Sequence, residues 1–233
     1  MKGVAFFDVD HTLVSGSTAV LCAGILRRER ILTRADMLRV AFALLRHRLG
    51  VMDAERAYAM GVKPFVGMPF ERGNALLQEC WREHVRPRIH LDGLRHMQVH
   101  RRAGEGVVLL SASSRWLLES FREVAPLDDI LAFRQRVRDG RFVDEWDRPV
   151  PYGANKRTLA ERYAAGKGVD LADCTFYSDS SSDRPLLEAV GHPVAVNPDP
   201  WLRRVARRRG WTVETWTRTL GREPCDPADA SVS

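Results

Sequence analysis

Four short segments concentrate the residues that could do chemistry. The first is Phe7-Asp8-Val9-Asp10-His11-Thr12-Leu13, where two carboxylates stand two positions apart at the end of an apolar run. Taken alone, the pair is equally a solvated turn with a helix cap. The second is Leu110-Ser111-Ala112-Ser113-Ser114. Small residues between a strand and a helix leave backbone N–H groups open to an anion, and a hydroxyl adds a donor. A plain serine N-cap is the simpler account of that segment by itself. The third, Gly153-Ala154-Asn155-Lys156, puts a cation at the start of a helix, where the dipole is already positive. An anion beside the lysine would resolve this, and an exposed surface lysine is the alternative. The fourth, Tyr177-Ser178-Asp179-Ser180-Ser181-Ser182-Asp183, carries two carboxylates four apart among serines, and Pro185 then opens a helix. Carboxylates at the end of a buried strand need a cation or donors to offset them. Hard oxygen ligands of this kind suit Mg²⁺.

Together the four segments weigh more than any one of them. They supply a nucleophilic carboxylate, a second carboxylate, an anion cradle, a cation and metal-binding carboxylates. That is the set required for phosphoryl transfer through an aspartyl-phosphate.

The elements between the segments must bring them to one edge. Apolar runs at Val4–Phe7, Val107–Leu110, Cys174–Tyr177 and Pro193–Val196 are near-continuous, as in strands buried on both faces of a parallel sheet. Helical spacing lies between them at Trp116–Val124, Lys156–Ala165 and Leu202–Arg209. Alternating strands and helices predict an α/β fold. The interval 15–86 differs: it has helical stretches at Ala35–Leu45, Asp53–Met60 and Phe70–Glu83 and no convincing strand. It is expected to be a helical cap inserted after the first strand, with 1–14 and 87–222 forming a discontinuous core. Alternating FRQRV and RFVDEW flank Asp139-Gly140, a strong hairpin signal. The tail 223–233 has little to bury and is expected to be disordered.

Composition sets bounds. The 233 residues are 45% hydrophobic and 28% charged, which excludes collagenous, coiled-coil and disordered chains. The net charge is +6, carried by arginines beyond Lys2, Lys63, Lys156 and Lys167, and reads as compositional bias rather than nucleic-acid recognition. Cys22, Cys80, Cys174 and Cys225 lie far apart with no CxxC pair, as expected for reduced thiols. No apolar run approaches a bilayer span, so a cytoplasmic protein without a transmembrane segment is expected. His96 and His100, with His84 and His90 upstream, could suggest zinc, but a solvated helix face is the simpler reading. Arg203, Arg204 and Arg207–Arg209 are read as a solvated face, with weak membrane-surface contact as the minor alternative. Trp201, Trp211 and Trp216 are read as packing for that last helix. Oligomeric state leaves no signature.

From Val4 to about Trp211, the order and separation of the four motifs resemble haloacid-dehalogenase-superfamily phosphatases, in the branch similar to phosphoserine phosphatase. The resemblance implies a Rossmann-like core with a helical cap and a Mg²⁺-dependent phosphomonoester hydrolase acting on a small phosphorylated metabolite. It implies Asp8 as the nucleophile and Asp10 as general acid, then base. It implies Mg²⁺ held by the Asp8 carboxylate, the Asp10 carbonyl and Asp179, with Asp183 supporting the metal through water. Ser111 and the Ala112 N–H would bind phosphate oxygens that Lys156 neutralises. The chain departs from the branch at Ser17, where an acidic residue would hold a substrate amino group. It departs again at Ser182, where asparagine is frequent, and Ser182 can still donate one hydrogen bond. No arginine stands near Gly61 to grip a substrate carboxylate, and Lys63 could partly replace it. Phosphoserine is therefore doubtful as the substrate. His11 fills the variable slot beside the general acid, where it either touches the leaving group or is merely tolerated. The alternatives are a phosphotransferase using the same Asp8, a lipid-headgroup phosphatase and, less favoured, a non-catalytic phosphate-binding module.

Overall fold

The computed structural model describes residues 1–33, 35–36 and 61–221. Its strands are Val4–Phe7 (β1), Gly106–Ser114 (β2), Asp129–Phe133 (β3), Gln135–Arg138 (β4), Arg141–Trp146 (β5), Thr175–Ser178 (β6), His192–Val196 (β7) and Thr212–Glu214 (β8). Its α-helices are Thr18–Arg28 (α1), Phe70–Cys80 (α2), Leu91–Ala103 (α3), Arg115–Leu118 (α4), Ala154–Gly166 (α5), Arg184–Leu187 (α6) and Pro200–Arg209 (α7).

β1 is an unbroken apolar tetrapeptide with all four side chains buried, as a central parallel strand requires. Six strands form one sheet in the order β3-β2-β1-β6-β7-β8, and every neighbouring pair is parallel. Successive residues of β1 face opposite layers. Ala5 and Phe7 pack with Leu109, Val194, Ile25 of α1, Leu77 of α2 and Met97 of α3. Val4 and Phe6 pack with Val108, Phe176, Ala160 of α5, Leu186 of α6 and Leu202 of α7. Burial of each Phe contributes about 2 to 3 kcal/mol relative to exposure. The strand order reverses between β1 and β6, and ligands bind outside the carboxyl ends of the strands at such a switch point.

The α/β architecture and its parallel sheet agree with the sequence reading, and so does the hairpin. β4 and β5 pair antiparallel around Asp139 and Gly140, whose φ angles of 48° and 68° are those of a two-residue hairpin loop. The anticipated helix at Phe70–Glu83 is α2, which runs on into a π-helical turn at Trp81–Val85. The stretches Ala35–Leu45 and Asp53–Met60 lie, apart from residues 35 and 36, outside the described residues, as does the tail 223–233.

Three readings need correction. Asp129–Phe133, over which no strand was expected, forms β3, an edge strand paired to β2. β8 was hidden by its three-residue length and its exposed Val213. The helix anticipated over Trp116–Val124 is α4 followed by a 3-10 segment, Glu119–Glu123.

Candidate active site

β1 ends at Phe7, and the Asp8 N–H donates to the Tyr177 carbonyl at 3.0 Å, so the segments after β1 and β6 leave the sheet side by side. Asp8 is only 6% exposed. Lys156, for which an exposed surface position was the alternative reading, is buried in the first turn of α5. Its Nζ lies 2.8 Å from Asp8 Oδ1 and 2.6 Å from Asp183 Oδ2. Gly153 makes this approach feasible: with φ 54° and ψ −129° it holds a backbone shape that side chains disfavour.

Burial and the Asp183 and Asp10 charges push the Asp8 carboxyl up to about 7, although Lys156 opposes them. Burial, with Asp8 and Asp183 nearby, pushes Asp179 up to about 8 against Lys156 and Thr12. Burial works against the Lys156 charge, but Asp183 and Asp8 outweigh it and hold the ammonium well above the usual lysine range. Three carboxylates thus share one cation.

The fourth carboxylate, Asp10, stands apart from this cluster. Its Oδ1 accepts from the Thr18 N–H at 3.0 Å and from Ser113 Oγ at 3.1 Å, and its Oδ2 from Ser17 Oγ at 3.4 Å. It therefore ties the start of α1 to the end of β2. Asp179 is fixed by Thr12, whose Oγ1 donates to Oδ1 at 3.2 Å and accepts the Asp179 N–H at 3.0 Å. Asp183 Oδ2 also accepts from Ser178 Oγ at 2.7 Å, while its buried Oδ1 has no hydrogen-bond partner.

The fold brings Asp8, Lys156, Asp179 and Asp183 together and sets Asp10, Ala112 and Ser113 in the lining of an adjoining cavity. Ser111 is buried, with its Oγ 3.2 Å from both the Ser113 hydroxyl and N–H. Thr12, Thr18, Ser113 and Ser178 were not singled out from the sequence. Their signal lay in adjacency, since each hydroxyl sits within five residues of a site residue.

The remaining candidates fall elsewhere. Lys63 is exposed and does not line the cavity, although Val62 and Phe65 on either side do. Ser17 lines it with its hydroxyl on Asp10. His11 is exposed at φ 59° and borders a different surface pocket, with Asp179 and Asn197. Ser182 Oγ lies 2.9 Å from Ser180 Oγ, within its own loop.

His96 and His100 are half-buried and paired within the protein rather than forming a solvated helix face. His100 bridges Glu105 and Tyr177, and His96 contacts Glu214 at 2.9 Å. Trp201 corrects the packing reading: it is 52% exposed, with the Arg184 guanidinium 5.5 Å over its ring. The cysteines, distant in sequence, are not all distant in space, for Cys22 and Cys80 face each other with Sγ atoms 2.7 Å apart. No helix among the described residues is long and apolar enough to cross a membrane.

Comparison with known proteins agrees with this arrangement. The haloacid dehalogenase-like hydrolase model matches residues 5–188. The inhibition of morphological differentiation protein of Streptomyces azureus is 33% identical over 225 residues, covering 94% of this chain and 80% of its own. A Mycobacterium tuberculosis protein named phosphoserine phosphatase is 33% identical over 220 residues, covering 91% and 70%. A crystal structure from Bordetella pertussis Tohama I, of unknown function, superposes with a TM-score of 0.84 at 29% identity, covering 92% of this chain and 98% of that one. A parallel sheet whose switch point gathers these carboxylates and one lysine, matched along most of its length, places the chain in the haloacid dehalogenase-like hydrolase family, on its phosphoserine-phosphatase-like branch of phosphatases.

Proposed function

We propose that this phosphatase hydrolyses a phosphomonoester in two displacements at Asp8, with Asp10 moving the protons. The observation that carries the reading is the buried Lys156 ammonium between Asp8 and Asp183, beside a second aspartate, Asp10, that lines a cavity. Lys156 engages Oδ1 of Asp8 and leaves Oδ2 for attack on phosphorus. In the first displacement an Asp8 oxygen bonds to phosphorus, the bond to the alcohol oxygen breaks, and the Asp10 carboxyl gives that oxygen its proton. In the second, the Asp10 carboxylate takes a proton from water. The water oxygen then bonds to phosphorus, and inorganic phosphate leaves Asp8 free. Ser17, Thr18 and Ser113 hold Asp10 in place for both transfers.

The residues fit a divalent cation. One lysine faces three carboxylates, and Asp183 Oδ1 is buried without a partner, which is the imbalance that Mg²⁺ among hard oxygens offsets. Asp8, Asp179 and the Asp10 carbonyl would hold it, with Asp183 behind them. When bound, it would neutralise the charge that builds on the phosphoryl oxygens. Ser111 and the Ala112 N–H are the proposed phosphate donors, and residues 15–86 the proposed cap.

The test is release of p-nitrophenol from p-nitrophenyl phosphate, with Mg²⁺ and with EDTA, by the native protein and Asp8→Asn. Turnover that needs metal and vanishes in the variant supports the reading. Turnover that survives Asp8→Asn removes it.

A further inference from the structure

The cavity beside Asp10 has walls of a definite chemistry. Its volume is about 240 Å³, and it is bounded by Leu26, Val62, Phe65, Leu77, Phe133 and Phe142. Asp10 is the one charged side chain among the described residues that line it. Three other polar side chains that line it, Trp116, Gln135 and Cys22, are already committed to the protein. The Trp116 indole N–H donates to the Gln135 carbonyl at 3.0 Å, and Gln135 Nε2 donates to the Val143 carbonyl at 3.0 Å. Cys22 faces Cys80. The described walls are therefore mostly carbon, with Asp10, Ser17, Thr18, Ser113 and Ser114 as the polar side chains nearest the proposed reacting groups in sequence. Lys63, between the lining residues Val62 and Pro64, is exposed and does not line it.

Resting on the reading of Asp8 as nucleophile, we propose that this cavity takes the alcohol half of the substrate and that this alcohol is apolar and uncharged, an alkyl or aryl-alkyl group. A zwitterionic leaving group would bring a carboxylate into walls whose described residues supply no cation, with Asp10 as their one charge, which is strongly unfavourable. An apolar chain would instead replace water against Leu26, Leu77 and Phe142 and gain with every carbon buried.

The test is phosphate release by the full-length native protein with Mg²⁺, along ethyl, propyl, butyl and pentyl monophosphates, 2-phenylethyl phosphate and phosphoserine. The expected kcat/KM rises about fourfold per methylene until the cavity fills. Phosphoserine is expected about a hundredfold below 2-phenylethyl phosphate. Leu77→Asn, in the cavity wall, is expected to flatten the chain-length dependence. If that variant does not fold, the native series decides alone. A flat or falling series, or phosphoserine in the lead, overturns the apolar assignment while Asp8-dependent turnover keeps the phosphatase reading intact. No turnover of any ester, with a beryllium fluoride adduct still forming on Asp8, overturns the assignment alone. No turnover and no adduct overturns both.

Discussion

Lys156 and Asp8 meet as a buried ion pair, Nζ to Oδ1 at 2.8 Å, and the same ammonium also holds Asp183 at 2.6 Å. The fold thus places its one buried lysine where the nucleophile is proposed, so stability and chemistry are coupled at this atom. Lys156→Met would leave two buried carboxylates without their cation. Breaking such a pair typically costs about 3 to 5 kcal/mol. The expected outcome is a markedly lower Tm together with loss of phosphatase activity, read by thermal unfolding and phosphate release on one preparation. A variant that keeps its native Tm would contradict the pairing.

The raised carboxyls predict how stability depends on pH without metal. Asp8 and Asp179 titrate at about 7 and about 8 in the folded protein, against about 4 when unfolded. A group with a raised folded pKa binds more protons folded than unfolded. Stability therefore falls as pH rises from about 4 towards 8, then levels off with respect to these two groups. Denaturant unfolding in EDTA at a series of pH values measures this. Asp179→Asn should flatten the slope, because it removes one of the groups and relieves the other.

Mg²⁺ should stabilise the folded chain if it fills this charge deficit. Binding to the native state alone contributes about 2.7 kcal/mol at a hundredfold excess over Kd. Thermal unfolding with and without Mg²⁺ should show a rise in Tm for the native protein and little or none for Asp179→Asn. An equal rise in both would place the ion elsewhere.

Thr12 offers a subtler probe, because it orients Asp179 through two hydrogen bonds and is fully buried. Thr12→Val keeps the shape and leaves the Asp179 N–H unpaired, a loss of about 1 to 3 kcal/mol. Removing a partner that orients a ligand weakens metal affinity about 10- to 100-fold. A titration of activity against Mg²⁺ should shift to higher concentration by that factor, with much of the rate recovered at saturation. A loss of rate that no Mg²⁺ restores would argue against an orienting role.

Much of the site was legible in the chain itself. Val4–Phe7 could hardly be anything but a central strand, because four consecutive buried apolar residues satisfy both faces of a parallel sheet. Asp8 and Asp10 stood out because they follow β1, Asp179 and Asp183 because they follow β6, and Lys156 because it stands in the first turn of α5. Asp139-Gly140 likewise declared its hairpin through the positive φ that its turn demands. These are local properties, set by the spacing of residue types within a few positions.

Partnership between distant segments was settled by tertiary structure. Nothing around Lys156 signals burial, and only the packing of α5 against β1 and β6 brings its ammonium to Asp8. β3 and β8 form because a neighbouring strand offers its free edge, which no pattern within Asp129–Phe133 or Thr212–Glu214 announces. Cys22 and Cys80 become neighbours through α1 and α2. The apolar cavity arises in the same way, from Leu26, Leu77, Phe133 and Phe142 converging from four separate elements. The chain alone therefore determines where the candidate carboxylates and the lysine lie along it. The surroundings that set their charge, and the walls proposed to select a leaving group, come from long-range packing that local periodicity does not encode.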